Sequence, residues 1–354
     1  MAARSAATTE ERGITMLCIY RRRDDRLVPT DMQGTAHSLP AEVDGALWID
    51  LINPSREEDH FVERRLGVSI PTKEEAQEIE VSARLYHEDG AEFMTMTGVS
   101  HLESEAPMTT PITFVLKGET LVTIRYAQPK PFFTYATRAQ KTGAVPCVNG
   151  EQVMLGLVEA LIERMAEALE KSGRNLERLS RQVFRHKSTD GKSSKSRDFQ
   201  AIIEEIGARG DLLAMIRESL VSLNRLLAYH NVTPKAAARS KTAAGPKKDA
   251  AVWARDMQQD IAALSDHATY LANKTNFLLD ATLGLINLEQ NQIIKIFSIA
   301  AVCLMPPTLV ASWYGMNFKN MPELEWVLGY PWALVLMLIA AIIPFAWFKR
   351  KGWL

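Results

Sequence analysis

The sequence predicts an α/β domain followed by a long helical stalk and two C-terminal transmembrane helices. Three observations lead to this fold class. Short apolar segments of strand length lie between turn residues before residue 150, and long amphipathic helical patterns follow that position. The only two apolar stretches of membrane length in the 354-residue chain lie near its C-terminal end.

The predicted α/β domain covers residues 14–149, after a disordered N-terminus at 1–13. Ser55–Leu66 fits a helix whose first residue is the N-cap and whose Glu58 completes a capping box, and Thr72–Glu80 fits a shorter acidic helix. The predicted strands are Met16–Tyr20, Leu47–Leu51, Glu92–Met96, Ile112–Leu116 and Leu121–Ile124.

Residues 150–249 are predicted to form stalk helices, with amphipathic patterns over Gln152–His186 and Phe199–Tyr229. A further helix begins near Ala250 and continues through 250–313 into the membrane. At 1.5 Å per residue, this helix of about 60 residues is about 90 Å long. A helix of that length needs support from neighbouring helices, so we expect an oligomer.

The two membrane-length stretches are Ile293–Trp313, whose only charge is Lys295, and Tyr330–Phe348, which has no charge. Each can span a hydrocarbon core of about 30 Å. They predict transmembrane segments at 293–313 and 330–348, joined by a loop at 314–329. The alternative is a pair of buried core helices, but such helices rarely run this long without charges. Aromatic residues cluster where interfacial belts are expected: Trp313, Tyr314, Trp326, Tyr330 and Trp332.

The charges that flank the spans predict their orientation. The second span is followed by a basic tail at 349–354, whereas the loop between the spans has Lys319 beside Glu323 and Glu325. The excess of positive charge places the C-terminus in the cytoplasm and the loop in the periplasm. Two spans return the chain to its starting side, so we expect both termini in the cytoplasm and the protein in an inner membrane.

Composition narrows the possible partners. The formal net charge of −1 gives no case for a nucleic-acid partner. Residues 1–13 are polar and lack the apolar core of a signal peptide. Cys18, Cys147 and Cys303 are not clustered, which fits a reducing compartment and argues against a thiolate zinc site.

One side of the helix that enters the membrane is small or polar. The residues on this side follow one another at steps of four, three, four, seven, seven and seven. They are Asp280, Gly284, Asn287, Asn291, Ser298, Met305 and Ser312. Ile294, Ala301 and Thr308 fall between them. The opposite side carries Ile296, Ile299, Ala300, Leu304 and Val310. Spacing alone leaves two interpretations open, because small and polar residues either line a pore or pack helices together.

The loop between the spans begins with Tyr314-Gly315-Met316-Asn317-Phe318 and continues with Met321-Pro322-Glu323-Leu324. This C-terminal segment resembles the CorA family of magnesium transporters, whose signature is YGMNF followed by MPEL between two C-terminal transmembrane helices. The resemblance implies a funnel-shaped homopentamer that imports Mg²⁺ and is not an enzyme. A dication gains about 4.6 kcal/mol per 100 mV of inside-negative potential, so import needs no nucleotide.

The five-residue motif implies a selectivity loop. Mg²⁺ holds its water tightly, so an entry site is expected to bind the hydrated ion by its outer shell. A ring of Asn317 carboxamide oxygens accepts hydrogen bonds from coordinated waters. Gly315 permits the tight turn where the helix ends, Met316 packs behind it, and Tyr314 and Phe318 brace the loop.

The resemblance also assigns roles along the pore helix. Asn291 matches a polar ring near the cytoplasmic mouth, Ile294 and Phe297 match a hydrophobic constriction, and Met305 and Thr308 fall on the pore-lining face. The predicted pore-lining set is Asn287, Asn291, Ile294, Phe297, Ser298, Ala301, Met305, Thr308 and Ser312. Pro307 departs from the family pattern, which usually has one proline at this place.

A regulatory Mg²⁺ site is implied by the same resemblance. Asp280 and Asp256 match positions at which the family binds Mg²⁺ between subunits, and Glu74 and Glu75 are the best match for the partner carboxylates. Bound Mg²⁺ would bridge the subunits and hold the pore closed, and loss of Mg²⁺ would let the acids repel one another. This chain has Glu-Glu where the family often has Glu-Asp.

Three other functions are alternatives to magnesium transport. A ZntB-type zinc transporter is the closest alternative, but that branch typically varies the residue at Met316, and the histidines here are scattered. A membrane-anchored, partner-binding protein has no need of asparagines at both ends of a polar stripe. A soluble hydrolase lacks the motifs that would accompany it. Passage of Co²⁺ or Ni²⁺ beside Mg²⁺ stays open.

Overall fold

The computed structural model describes residues 16–30, 45–104, 106–184, 199–232, 250–316 and 326–353. It confirms the predicted fold class, with an α/β sheet domain, long helices and two apolar helices at the C-terminal end. The predicted disordered N-terminus at 1–13 lies outside the described residues.

Within the described residues, one mixed sheet of seven strands forms the centre of the N-terminal region. The strand order is β2-β1-β3-β7-β6-β5-β4; β3 and β7 are parallel and the other neighbours are antiparallel. The strands are β1 (Met16–Arg23), β2 (Arg26–Pro29), β3 (Ala46–Ile52), β4 (Leu85–Glu88), β5 (Ala91–Ser100), β6 (Met108–Lys117) and β7 (Thr120–Arg125).

The two strands absent from the sequence prediction, β2 and β4, are the two edges of this sheet. Each has four residues, and neither shows the run of buried side chains found in β3 and β5. An edge strand is half solvated and pairs on one side only, so its sequence carries a weak apolar signal. The interior strand β5 is longer than predicted, because it continues past Met96 through the buried residues Thr97 and Gly98 to Ser100, and these residues carry little apolar signal.

Short helices connect the strands. They are α1 (Arg56–Leu66), α2 (Lys73–Ala76), α3 (Val81–Arg84) and α4 (Lys130–Ala139). The capping box of α1 is confirmed, since the Ser55 backbone N–H donates to Glu58 Oε2 at 2.8 Å. The prediction of a helix over Thr72–Glu80 is too long. Helix α2 ends at Ala76, its only buried residue, and Ile79 is 91% exposed, so an apolar face to hold a longer helix is missing.

A buried polar network crosses the parallel strand pair. Asp50 on β3 lies opposite Thr123 on β7, and the Thr123 hydroxyl donates to Asp50 Oδ1 at 2.7 Å. Arg125 donates to the same carboxylate, with Nη2 2.8 Å from Oδ2, and the Trp48 indole N–H donates to the Thr123 hydroxyl at 2.9 Å. All four residues are buried, so the network satisfies polar groups that the core would otherwise leave unpaired.

Two long helices follow, α5 (Gly150–Phe184) and α6 (Phe199–Val232). The first turns of α5 pack closely against the α/β domain. A Cβ atom at Gly150 would lie 2.6 Å from the Leu121 backbone nitrogen, and one at Gly156 would lie 2.4 Å from Cε2 of Tyr135. Contacts this short require glycine, so α5 begins as a part of the sheet domain's core.

The end of α6 is joined to this core through His230. Its Nδ1 is 2.9 Å from Oε2 of Glu92 on β5, and its Nε2 is 3.0 Å from Oε1 of Glu151 on α5. The three side chains are buried. One imidazole therefore links a strand and two helices that are far apart in sequence.

The chain divides into two compact units. The first contains residues up to 190 and 204–276, which include the sheet, all of α5 and most of α6, and so it extends past residue 149, the predicted end of the α/β domain. The second contains 191–203 and 277–354. The last two helices are α7 (Ala250–Tyr314) and α8 (Gly329–Arg350).

Candidate functional site

Helix α7 has 65 residues, close to the predicted length. Because it is one regular helix, the steps of four, three and seven residues keep the predicted pore-lining residues on one side, with a drift of about 20° per heptad. Their identity as pore residues stays a prediction, since it requires other copies of the chain.

All of the predicted pore-lining side chains are exposed in the single chain: Asn287, Asn291, Ile294, Phe297, Ser298, Ala301, Met305, Thr308 and Ser312. The exposed fractions of Ile294 and Phe297 are 61% and 72%, although both are large and apolar. On the opposite side, Ile299 is only 5% exposed, whereas Ile296 is 56% exposed. Exposure in one chain therefore does not separate a pore face from a lipid face.

The helix continues through Pro306 and Pro307. Neither proline has a backbone N–H, so two carbonyls one turn earlier lose their usual donors. The hydroxyl of Thr308 donates to the Leu304 carbonyl at 2.8 Å, which adds a hydrogen bond in the same turn. Freed carbonyls at this depth are tolerated where protein or pore water reaches them.

The start of the loop is described as far as Met316. Helix α7 ends at Tyr314, and the Gly315 backbone N–H donates to the Ala311 carbonyl at 2.9 Å. Gly315 does not have a positive φ. A Cβ atom there would lie 3.1 Å from the Ala311 oxygen, so glycine is favoured by close approach to the preceding turn and not by a left-handed conformation.

Two residues of the predicted selectivity loop, Asn317 and Phe318, lie outside the described residues. The structure brings Tyr314, Gly315 and Met316 to the C-terminal end of α7, directly before them. The roles of all five residues in ion selection stay predictions.

The start of the apolar stretch of α7 and the end of α8 meet at a cluster of aromatic and basic side chains. Lys295, near the start of the first apolar stretch, has its Nζ 5.5 Å from the ring centre of Trp353, just after α8. Trp353 stacks on Phe348 with ring centres 5.5 Å apart, and Lys351 Nζ lies 5.6 Å from the ring centre of Trp347. The two helices are thus antiparallel, with basic and interfacial aromatic residues at one shared end.

No local pattern in the sequence predicts this cluster. Lys295 was visible as the only charge of the first apolar stretch, and a single lysine near the end of a span commonly reaches towards the interface. The sequence could not show which aromatic residue it approaches.

The four acids of the predicted regulatory site are all exposed. Asp256 and Asp280 lie on α7, and Glu74 and Glu75 lie on α2. Among the described residues of this one chain, no group of three or more His, Cys, Asp or Glu side chains could hold a metal ion. The chain alone therefore does not assemble this site, and a site between copies stays a prediction.

Glu75 has a structural role that the prediction did not include. Its Oε2 accepts hydrogen bonds from the backbone N–H of Thr72 at 2.8 Å and from the Thr72 hydroxyl at 3.0 Å. These contacts form the capping box of α2. Only Oε1 remains for another ligand without loss of the cap.

The acids of α2 also affect a neighbouring tyrosine. Burial, followed by the charges of Asp59, Glu74 and Glu75, raises the pKa of Tyr126 to about 12. The Nζ of Lys73 lies 5.4 Å from the centre of the same ring. The start of α2 is therefore a region of negative potential that attracts a cation, although one lysine already lies there.

The fold defines a class of protein before any comparison is made. The two C-terminal helices are long and apolar enough to cross a membrane. In the most apolar 18-residue stretch of each helix, at most 11% is buried. That exposure excludes a core helix of a soluble protein. The chain is thus of the class that joins a large α/β domain to two C-terminal helices able to cross a membrane.

Known proteins narrow this class. A family described as CorA-like Mg²⁺ transporter protein matches residues 43–350. The magnesium transport protein CorA of Pasteurella multocida (strain Pm70) is 35% identical over 340 residues, which are 96% of this chain and 100% of that protein. The chain belongs to the CorA family, whose members are transporters and not enzymes.

Solved structures agree on the fold. The complete structure of the CorA magnesium transporter from Methanocaldococcus jannaschii has a TM-score of 0.72 at 18% identity and covers 96% of this chain and 99% of that one. The ZntB cytoplasmic domain from Vibrio parahaemolyticus RIMD 2210633 is less similar, with a TM-score of 0.51 at 9% identity, 78% of this chain and 99% of that one. These similarities show the fold alone; the assignment to the magnesium branch rests on the family match and on the 35% identical CorA relative.

Proposed function

We propose that the chain imports Mg²⁺ through an aqueous path that several copies enclose with their α7 helices. The observation that carries this proposal is the stripe of small and polar side chains on α7, whose spacing from Asn287 to Ser312 keeps it on one side of one continuous helix. Polar side chains that face lipid are costly, so the stripe needs other helices or water. The family resemblance supports a homopentamer.

In this assembly, Asn317 is proposed to select the ion. A ring of carboxamide oxygens contacts the coordinated waters of Mg²⁺, which the ion does not readily release. Neutral oxygens bind the dication less tightly than carboxylates, so the ion can leave again. The hydrogen bond and close approach of Gly315 to the Ala311 carbonyl support a defined point at which the loop begins.

Ile294 and Phe297 are proposed to form the gate. They are apolar, they lie one helical turn apart, and they are exposed in the single chain. Rings of such side chains around a narrow path close it by excluding water. The inside-negative membrane potential supplies about 4.6 kcal/mol per 100 mV to each dication that passes.

We further propose feedback from internal Mg²⁺. Asp256 and Asp280 of one copy and Glu74 and Glu75 of a neighbour would share the ion, with the free Oε1 of Glu75 as its ligand. Loss of the ion leaves like charges facing one another and favours the open state. The inner membrane, with both termini in the cytoplasm, is the proposed location, supported by the basic residues gathered where the apolar stretch of α7 begins and α8 ends.

Transport into liposomes tests the proposal. Purified protein is reconstituted, an inside-negative potential is imposed, and Mg²⁺ influx is measured for wild type, Asn317→Ala and the matched control Asn320→Ala. We expect potential-driven influx in wild type and in the control, and its loss in Asn317→Ala. Equal influx in all three would remove Asn317 from the selectivity site. Co²⁺, Ni²⁺ and Zn²⁺ are measured in parallel, and Zn²⁺ uptake that depends on a pH gradient without Mg²⁺ influx would contradict the proposal.

Feedback is tested in the same liposomes loaded with increasing internal Mg²⁺. We expect Asp280→Asn to require more internal Mg²⁺ for closure than wild type. Asp266→Asn, a matched change on the same helix, should behave as wild type. Identical closure in all three proteins would contradict the regulatory role of Asp280.

A further inference from the structure

A cavity of about 610 Å³ lies in the first compact unit, between α6, the nearby part of α7 and the β5 side of the sheet. None of the residues predicted for ion passage or for Mg²⁺ regulation lines it. Its volume is in the range of small-molecule sites, which are mostly apolar with a few well-placed polar groups. Its apolar lining includes Leu213 and Val221 of α6 and Ala268 and Ala272 of α7.

The charged lining is predominantly basic. Arg84, Arg217 and Arg225 line the cavity, and Glu218 is the one acid among the lining residues. The formal charge of the lining is thus +2, although the chain as a whole has a net charge of −1. A concave surface with such an excess of guanidinium groups attracts anions.

One of these arginines is held in place by the fold. Arg84 Nε donates to the Glu78 carbonyl, and Arg84 Nη1 donates to the Thr97 hydroxyl at 3.0 Å. Guanidinium has five N–H donors, so three remain for a ligand. Thr97 is itself fixed, because its backbone N–H donates to the Ser222 hydroxyl of α6 at 3.0 Å. Arg84 is therefore oriented before any ligand binds.

The other two arginines have no such engagement. In the part of the chain that the structure describes, neither Arg217 nor Arg225 makes a hydrogen bond or an ion pair, and both are exposed. They lie eight residues apart on one face of α6, or about 12 Å along the helix. Cations spread over that length match an anion whose charges are also spread out, and guanidinium is well suited to phosphate.

We propose that this cavity binds a nucleoside polyphosphate, with the phosphates on the arginines and the nucleoside against the apolar lining of α6 and α7. Guanidinium planes also stack on flat aromatic rings, so Arg217 or Arg225 can contact the base. The metal-free form carries more negative charge than the Mg²⁺ complex and is the form that a lining of +2 favours. Where Mg²⁺ is scarce, a larger share of the nucleotide is metal-free, so nucleotide in this cavity would signal Mg²⁺ shortage to the transporter. Only this signalling role rests on the proposed function.

Binding of ATP to the full-length protein in detergent micelles tests the proposal without any transport step. Titration calorimetry is performed with ATP in the presence of a chelator, with ATP and excess Mg²⁺, with tripolyphosphate and with adenosine. We expect metal-free ATP to bind more tightly than each of the other three. Binding of tripolyphosphate as tight as that of ATP would overturn the role of the apolar lining.

A pair of double variants identifies the site. Arg217→Gln with Arg225→Gln is expected to weaken ATP binding about tenfold or more, since hydrogen bonds from a charged guanidinium to phosphate are stronger than those from a neutral amide. Arg174→Gln with Arg181→Gln, two exposed arginines of α5, is the matched control and should bind ATP as wild type does. Melting temperatures establish that both variants are folded.

Two results would overturn the proposal. One is the absence of ATP binding by the folded wild-type protein. The other is unchanged ATP binding in the Arg217→Gln, Arg225→Gln variant. If that variant instead alters the oligomeric mass while ATP binding stays unchanged, the basic cavity is a contact between copies of the chain.

Discussion

His230 and Glu92 form a buried hydrogen bond of 2.9 Å between the end of α6 and the start of β5, although 138 residues separate them in sequence. The other ring nitrogen contacts Glu151 at 3.0 Å. A neutral imidazole donates from one nitrogen only, so two carboxylate partners favour the doubly protonated ring. The buried group is thus an imidazolium shared by two carboxylates.

This arrangement predicts a loss of stability at alkaline pH. Burial lowers the pKa of His230, but hydrogen bonds to Glu151 and Glu92 outweigh burial and raise the pKa from 6.5 to about 9. Because the pKa of His230 is higher in the folded state than in the unfolded state, its protonation contributes fully to the free energy of unfolding below pH 6.5. This contribution is lost as the pH rises through about 9. The shift corresponds to about 3 kcal/mol. Melting temperatures of wild type and His230→Gln should converge as the pH rises through this range, and a constant difference would contradict the prediction.

Removal of the imidazole should be more harmful than its deprotonation. His230→Ala leaves Glu92 and Glu151 buried without their shared cation, which costs about 3–5 kcal/mol. We expect the melting temperature to fall by about 10 °C. The exposed His87 on β4 provides the matched control, and His87→Ala should change little. Addition of Glu92→Gln and Glu151→Gln to His230→Ala should recover part of the loss; if it recovers none, the interaction is not chiefly electrostatic.

The buried pair of Asp50 and Arg125 predicts a similar asymmetry. Asp50→Ala leaves the Arg125 guanidinium buried and unpaired, at a cost of about 3–5 kcal/mol. A double change, Asp50→Leu with Arg125→Met, should restore most of that stability because no charge is left in the core. Thermal unfolding followed by circular dichroism measures both.

The matched control for this pair is the exposed one between Glu170 and Arg174, whose side chains are 71% and 70% exposed. Glu170→Ala should cost less than about 1 kcal/mol. Equal effects of Asp50→Ala and Glu170→Ala would show that burial does not decide the strength of these pairs.

The proposed gate predicts a difference between two neighbouring isoleucines. Ile294 and Ile296 have similar exposed fractions in the single chain, 61% and 56%, but lie on different sides of α7. A polar side chain at a hydrophobic constriction favours water within it. Ile294→Ser should therefore raise Mg²⁺ influx severalfold at high internal Mg²⁺, whereas Ile296→Ser should not. A matching increase in both variants would remove Ile294 from the constriction.

Local chemistry decided how much of the fold could be predicted from sequence. Ser55 and Glu58 carry a complete capping signal within four residues, so the start of α1 follows from the sequence. The pattern that predicts α7 is equally local, because helical spacing and the absence of Gly-Pro punctuation continue from Ala250 into the membrane. The edge strands β2 and β4 are short and half solvated, so no local pattern identifies them.

The interactions that the sequence did not reveal depend on distant partners. His230 is an ordinary residue near the end of an amphipathic helix until the fold brings Glu92 and Glu151 to it. Glu75 was predicted as a metal ligand, whereas its contact with Thr72 within the chain makes it a capping residue as well. The predicted pore residues differ again, since the proposed pore would need partners from other copies of the chain.

The contact between Lys295 and Trp353 provides a natural optical probe of the membrane-embedded region. An ammonium group 5.5 Å from an indole ring changes the electric field that the excited ring experiences, so its emission depends on their separation. Any tilt or rotation of α7 that moves Lys295 away from the end of α8 must alter the fluorescence of Trp353. In a variant whose other tryptophans are replaced by phenylalanine, conformational change is observable without an attached dye.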